Sequence, residues 1–200
     1  MKEQLDDPVF VVEYKIDGLS LALRYVNSKL DVAITRGDGI LEGEDVTVNA
    51  KVIKDVKKTL KDPIEYLEVR GEVYMTNEAF DKVNEMQEIK GKKLFANPRN
   101  CAAGTLRQLD SKITKERDLS MFVFNIQDVR GKEFNSHSEG YEYLKQQGIK
   151  IIEDYKICKT ADEVWQAIVA IGENRDKLDY DIDGAVVKID SFADRRKLGN

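Results

Sequence analysis

Apolar and polar residues alternate through FVVEYKIDGLSLALRYVNSKLDVAITRGDG, residues 10 to 39. That two-residue period marks strands with one covered face, and Asn27-Ser28 falls between two such runs. The segment therefore predicts strand, turn, strand, turn, strand. A further β-rich run, YLEVRGEVYM (66 to 75), leads into TNEAFDKVNEMQEI, where Ala79, Val83, Met86 and Ile89 follow helical spacing behind Thr76 or Asn77 as the cap. SHSE (136 to 139) and TADE (160 to 163) fit the capping box, in which a hydroxyl and a carboxylate satisfy a helix's first free amides. LSMFVFNI, KIIEDYKI and IDGAVVKI are three more runs rich in β-branched or aromatic residues. Strands and helices are interspersed without a regular βαβ rhythm, so the pattern predicts an α+β fold with largely antiparallel sheets and no internal repeat.

Composition narrows the class. At 200 residues, 42% of them apolar, the chain can bury a core of its own as one unit. Charge on 34% of residues, mixed in sign, with three prolines and no biased tract, predicts order throughout. No apolar run could cross a bilayer, and MKEQLDD lacks the apolar centre of a signal peptide, so a cytoplasmic protein without a membrane partner is expected. Cys101 and Cys158 have neither CxxC spacing nor histidine neighbours and read as ordinary small residues. The net charge of -5 conceals a basic segment from Lys90 to Arg117, with eight basic residues against two acids. Such a local excess suits phosphates, and equally suits a solvated face.

Chemistry concentrates in VEYKIDG. A strand places Glu13, Lys15 and, if it persists that far, Asp17 on one face, and Gly18 permits a sharp exit. Freeing the lone pair of an ordinary lysine near neutrality costs about 4 to 5 kcal/mol. Flanking carboxylates raise that cost, so a nucleophilic Lys15 needs a second cation nearby, Lys188 or a metal ion. Alone, a KxDG tetrapeptide is equally a surface lysine in a cross-strand salt bridge. Three other residues read blandly. Trp165 is mid-helix, where an aromatic at apolar spacing is usually core. His137, the one histidine, sits beside a helix start and is expected in solvent. Gly37 and Gly39 suit a tight turn better than a phosphate loop.

Further motifs follow in order: TRGDG (35 to 39), GED (43 to 45), LEVRGEV (67 to 73), FANPRNCAAGTLRQLD (95 to 110) and DIDGAVVKI (181 to 189). With EYKIDG they cover nearly the whole chain, which resembles the adenylation (nucleotidyltransferase) domain of bacterial NAD-dependent DNA ligases. The resemblance implies an ATP-grasp-like nucleotidyltransferase fold, with Lys15 forming a phosphoramidate with AMP taken from NAD. It implies that Glu13 reads the adenine edge, that Asp17 and Gly18 complete the motif, and that Arg36 and Glu72 contact the nucleotide on its ribose and phosphate side. Lys188 matches a lysine at the nucleotide, and Asp183 an acid that helps place Mg²⁺. These two share a strand face only if its pleat is interrupted, since their spacing is odd. Arg99 and Arg107 match arginines used against DNA phosphate or the nick. Phe124 stands where the family usually stacks an aromatic, often tyrosine, on adenine.

The same resemblance implies a partner, nicked double-stranded DNA, and a role in DNA replication and repair. It also sets expectations for what surrounds the domain at 1–200. The helical region that grips nicotinamide mononucleotide, and the later OB, zinc-finger, helix-hairpin-helix and BRCT domains, are expected to lie outside it. A monomeric chain that binds the adenosine half of NAD without sealing nicks is the corresponding expectation. Two rivals stand beside it: an ATP-dependent ligase or RNA-capping nucleotidyltransferase, and a nucleotide- or DNA-binding module without catalysis.

Overall fold

The computed structural model describes residues 5–37 and 43–199. The Asp38-Gly39 end of TRGDG, and with it the expected turn at Gly39, lies outside the described residues.

Among the described residues, seven strands form two antiparallel sheets. Strands β1 (Phe10–Ile16), β6 (Lys156–Cys158) and β7 (Ile182–Ile189) form one, in the order β6-β1-β7. Strands β2 (Leu19–Val26), β3 (Lys29–Arg36), β4 (Tyr66–Tyr74) and β5 (Ser120–Arg130) form the other, in the order β3-β2-β4-β5. The chain passes from the first sheet to the second through Asp17 and Gly18 alone. Asn27 and Ser28, both at positive φ, close the β2–β3 hairpin in the left-handed turn that matches strand twist.

Helices are interspersed as the pattern predicts, giving an α+β fold. Helix α1 (Thr47–Ala50) follows the hairpin, and α2 (Asn77–Ile89) follows β4. The basic segment forms α3 (Pro98–Leu106) and α4 (Ser111–Glu116); α5 (His137–Gln146), α6 (Ala161–Asn174) and α7 (Phe192–Lys197) complete the set. Thr76 caps α2 by accepting from the Ala79 amide at 3.1 Å. Ser136 and Thr160 accept from the Glu139 and Glu163 amides as a capping box requires. The returning carboxylates reach one residue further, Glu139 to the Asn135 amide and Glu163 to that of Lys159.

Two predictions from the pattern need correction, the strand at KIIEDYKI and the burial of Trp165. KIIEDYKI is not one strand: Ile151 makes an isolated bridge to Val123, and only Lys156–Cys158 pair with β1. Met86 and Ile89 keep the expected helical spacing on the exposed side of α2, which buries Ala79 and Val83. Trp165 is 65% exposed. Helix α6 lies against the three-stranded sheet through Val164, Ala167, Ile168 and Ile171, a stripe that Trp165 misses by one position.

The main core joins the four-stranded sheet to the helices, with Leu21, Leu23, Tyr25, Leu67, Val69 and Leu106 at its centre. A small cluster of Ile16, Tyr74 and Ile152, flanked by Tyr14, Phe122 and Tyr180, ties the two sheets together where β1 leaves the first. Among the described residues, no helix is long and apolar enough to cross a membrane.

Candidate functional site

A cleft of about 530 Å³ opens between the sheets, and ten of the eleven residues singled out from sequence line it: Glu13, Lys15, Asp17, Gly18, Arg36, Glu72, Arg99, Phe124, Asp183 and Lys188. Arg107 is the one that does not; its guanidinium lies 3.5 Å from Glu44.

Strand pairing explains the convergence. Glu13 is directly opposite Val186, so Lys188 is its diagonal neighbour on the same face. The β1–β7 register shifts between Tyr14 and Ile16, and Gly184 adopts φ 134°, a conformation that favours glycine. This is the interruption of the pleat that the odd spacing of Asp183 and Lys188 demands. Lys15 sits at the shift, 59% exposed at its side chain, with Nζ 3.5 Å from Asp183.

Gly18 lies in the two-residue passage between the sheets, and close approach also requires it. An added Cβ would lie 2.1 Å from the Val73 carbonyl oxygen. The tight passage lets the Gly18 amide donate to the Glu72 carboxylate on β4, while the Asp17 amide donates to the Asp181 carbonyl at 3.0 Å. Arg99, at the start of α3, reaches to 3.9 Å from Asp17.

The cleft is electrostatically divided. Burial pushes the Glu72 carboxyl up to about 7; Arg99 opposes the rise, and Asp17 and Asp183 add to it. Three carboxylates therefore crowd the part of the cleft near Lys15. Among the described residues, however, no group of three or more His, Cys, Asp or Glu is close enough to hold a metal ion. Around Glu13 the balance is opposite. The carboxylate is only 2% exposed, with Lys188 Nζ 2.7 Å from Oε1. Burial pushes its carboxyl up, but His137, Lys188 and Tyr141 together outweigh that and hold it below the usual range. Lys188 also donates to the Phe124 carbonyl at 3.2 Å, and its ammonium lies 5.3 Å from the centre of the Phe124 ring.

His137 overturns its expectation. It is 3% exposed, its Nε2 lies 3.5 Å from Glu13 Oε1, and burial pushes its imidazole down despite Glu13. Tyr141, one turn along α5, donates its hydroxyl to Glu13 Oε2. Neither carries a motif; the legible signal is that His137, Tyr141 and Leu144 share one helical face, which α5 turns inward. Cys101 and Cys158 are buried free thiols outside the cleft, as small core residues should be.

Over residues 2–200 the chain matches the family model described as the NAD-dependent DNA ligase adenylation domain. A DNA ligase of Clostridium kluyveri is 55% identical over 192 residues, covering 96% of this chain and 29% of that protein. One of Acetivibrio thermocellus is 52% identical over 195 residues, covering 98% and 29%. The chain thus spans about three tenths of the length of these relatives. Among solved structures, the Pnkp1/Rnl/Hen1 RNA repair complex covers 92% of this chain and 63% of its own, with 13% identity and a TM-score of 0.43.

Proposed function

The chain belongs to the NAD-dependent DNA ligase adenylation domain family, and from that membership we propose that Lys15 takes up AMP from NAD for transfer to nicked DNA. The observation that supports this best is the one cleft that holds an exposed lysine beside carboxylates and, two residues back along β1, a buried carboxylate with a paired lysine and an aromatic ring. A nucleotide needs both: a base-reading, stacking end and a reactive phosphate end.

On this reading Phe124 stacks on adenine, Glu13 accepts from its amino group, and Lys188 donates beside it. Glu72 takes ribose hydroxyls and Arg36 the phosphate oxygens. Lys15 Nζ bonds to the α-phosphorus as the bond from that phosphorus to the bridging oxygen breaks. The electron pair leaves with nicotinamide mononucleotide and the amine proton goes to solvent. The AMP then passes to a DNA 5′-phosphate, and the 3′-hydroxyl of the nick displaces it. Arg99, inside the cleft, suits the incoming 5′-phosphate, and Arg107, outside it, the DNA backbone.

Lys15 Nζ lies 3.5 Å from a carboxylate, that of Asp183. Lys188 is committed to Glu13, so of the two cations considered from sequence the metal ion remains. The residues fit magnesium, which keeps several waters and takes one or two protein carboxylates plus substrate phosphates. Asp183, with Asp17 nearby, would hold the ion, which when bound would supply charge neutralisation at the phosphate and would offset the part of the Glu72 rise that Asp17 and Asp183 add to burial.

The test is transfer of label from adenine-labelled NAD or ATP to a ligase-length protein that carries this chain. Label from NAD alone supports the reading. Label from ATP alone favours the ATP-dependent rival, and no label from either favours a binding module.

A further inference from the structure

Glu13 is held from two elements. Lys188 on β7 takes Oε1 at 2.7 Å, His137 on α5 approaches the same oxygen at 3.5 Å, and Tyr141 on α5 takes Oε2. The Tyr141 hydroxyl also lies 2.9 Å from the Phe124 carbonyl oxygen, yet it has one proton to give. An ionised carboxylate is the stronger acceptor, and Phe124 already receives Lys188 at 3.2 Å. The phenol proton therefore belongs to Glu13. Burial keeps His137 neutral, so the only hydrogen it can aim at Glu13 is that of the tautomer protonated on Nε2. Both carboxylate oxygens are thus committed to protein donors, and the carboxylate cannot turn without breaking a buried charge-assisted bond. The lone pairs left facing the cleft are fixed in direction and can only accept.

That arrangement discriminates between purines. Adenine presents an amino donor on its six-membered ring where hypoxanthine presents a carbonyl acceptor. A rotating carboxylate tolerates both through water, whereas a fixed one pairs with the donor and repels the acceptor. We propose that His137 and Tyr141 are positioning residues that set the base selectivity of this cleft by holding the Glu13 carboxylate in one orientation. The proposal rests on the reading of the cleft as an adenylate site.

The experiment is calorimetric titration of the 200-residue chain with AMP and with IMP, reading the ratio of the two affinities. Tyr141→Phe removes the hydroxyl and keeps the ring that packs 4.2 Å from His137 and 5.1 Å from Tyr155. His137→Leu removes the N–H, and His137→Gln returns a donor where Nε2 stood. The preference for AMP should fall about tenfold in Tyr141→Phe, the worth of a hydrogen bond to a charged group, fall by less in His137→Leu, whose Nε2 approaches Oε1 at 3.5 Å without a hydrogen bond, and recover to within about twofold in His137→Gln. A merely structural role would lower both affinities together and leave the ratio unchanged. Glu13→Gln separates the two layers. If it leaves the ratio at the parent value, or if the parent binds neither nucleotide, the adenylate reading itself fails. If it abolishes the preference while Tyr141→Phe keeps it, Glu13 reads the base unaided and the positioning proposal is wrong. Tyr141→Phe carries the decision should His137→Leu fail to fold.

Discussion

Glu72→Gln should make the chain more stable, and only above a definite pH. In the unfolded chain this carboxyl titrates near its ordinary 4.5, whereas the cleft raises it to about 7. A carboxyl raised on folding is protonated in the native state at a pH where the unfolded state has released the proton, so the native state is disfavoured as pH rises. The cost is absent below about 4.5, grows through the interval and is complete above about 7. The whole shift corresponds to about 3 kcal/mol, and solvent in an open cleft reduces it to about 1 to 2 kcal/mol. Glutamine abolishes the cost while keeping an oxygen for the Gly18 amide. Urea unfolding at about pH 8 should favour the variant by that amount, worth about 2 to 8 °C in melting temperature, and the difference should vanish by about pH 5. The same variant should bind AMP more weakly, since stability would be gained by removing a functional charge. Equal stabilities at about pH 8, or a less stable variant, would refute the burial, reinforced by Asp17 and Asp183, on which this rests.

Phe124→Ala should weaken AMP binding by about 1 to 3 kcal/mol and Phe124→Tyr leave it nearly unchanged, measured by calorimetry; equal binding by the alanine variant would make Phe124 plain core. Gly18→Ala forces a Cβ to 2.1 Å from a backbone oxygen and should cost about 1 to 3 kcal/mol in urea unfolding, with Glu72 displaced as β4 moves. Lys188→Met should destabilise the chain by about 3 to 5 kcal/mol, because it leaves Glu13 buried with one charge partner gone. Lys15→Met, which breaks an exposed pair, should cost about 0 to 1 kcal/mol in the same assay. Similar losses for the two lysines would contradict the division of the cleft into a buried and an open part.

The elements most plainly legible in sequence are those whose cause is local. Asn27-Ser28 fold as a left-handed hairpin turn, and Thr76, Ser136 and Thr160 cap the helices they precede, because the groups they satisfy lie within three residues. The cleft was legible through motifs rather than pattern: nothing in the alternation of EYKIDG or DIDGAVVKI says that β1 and β7 pair with a register shift opposite Gly184. His137 looked solvated because a histidine beside a cap usually is; its burial follows from α5 packing that face toward β1 and β5, a long-range fact. A lone mid-helix aromatic reads as core, but the stripe of Val164, Ile168 and Ile171 by itself places the Trp165 indole outside. Arg99 and Arg107 belong to one motif, yet Arg99 lines the cleft while Arg107 lies outside it beside Glu44, a separation the motif alone does not show.

The central claim is that Lys15 carries AMP, and peptide mapping of the adduct tests it most directly. A ligase-length protein bearing this chain would be incubated with NAD and magnesium, weighed intact, digested and mapped, alongside Lys15→Arg, whose guanidinium stays protonated and cannot attack phosphorus. The account predicts one added AMP per molecule, on the peptide containing Lys15, and none in the arginine variant. An adduct mapped to another residue, or one that persists in Lys15→Arg, would contradict it.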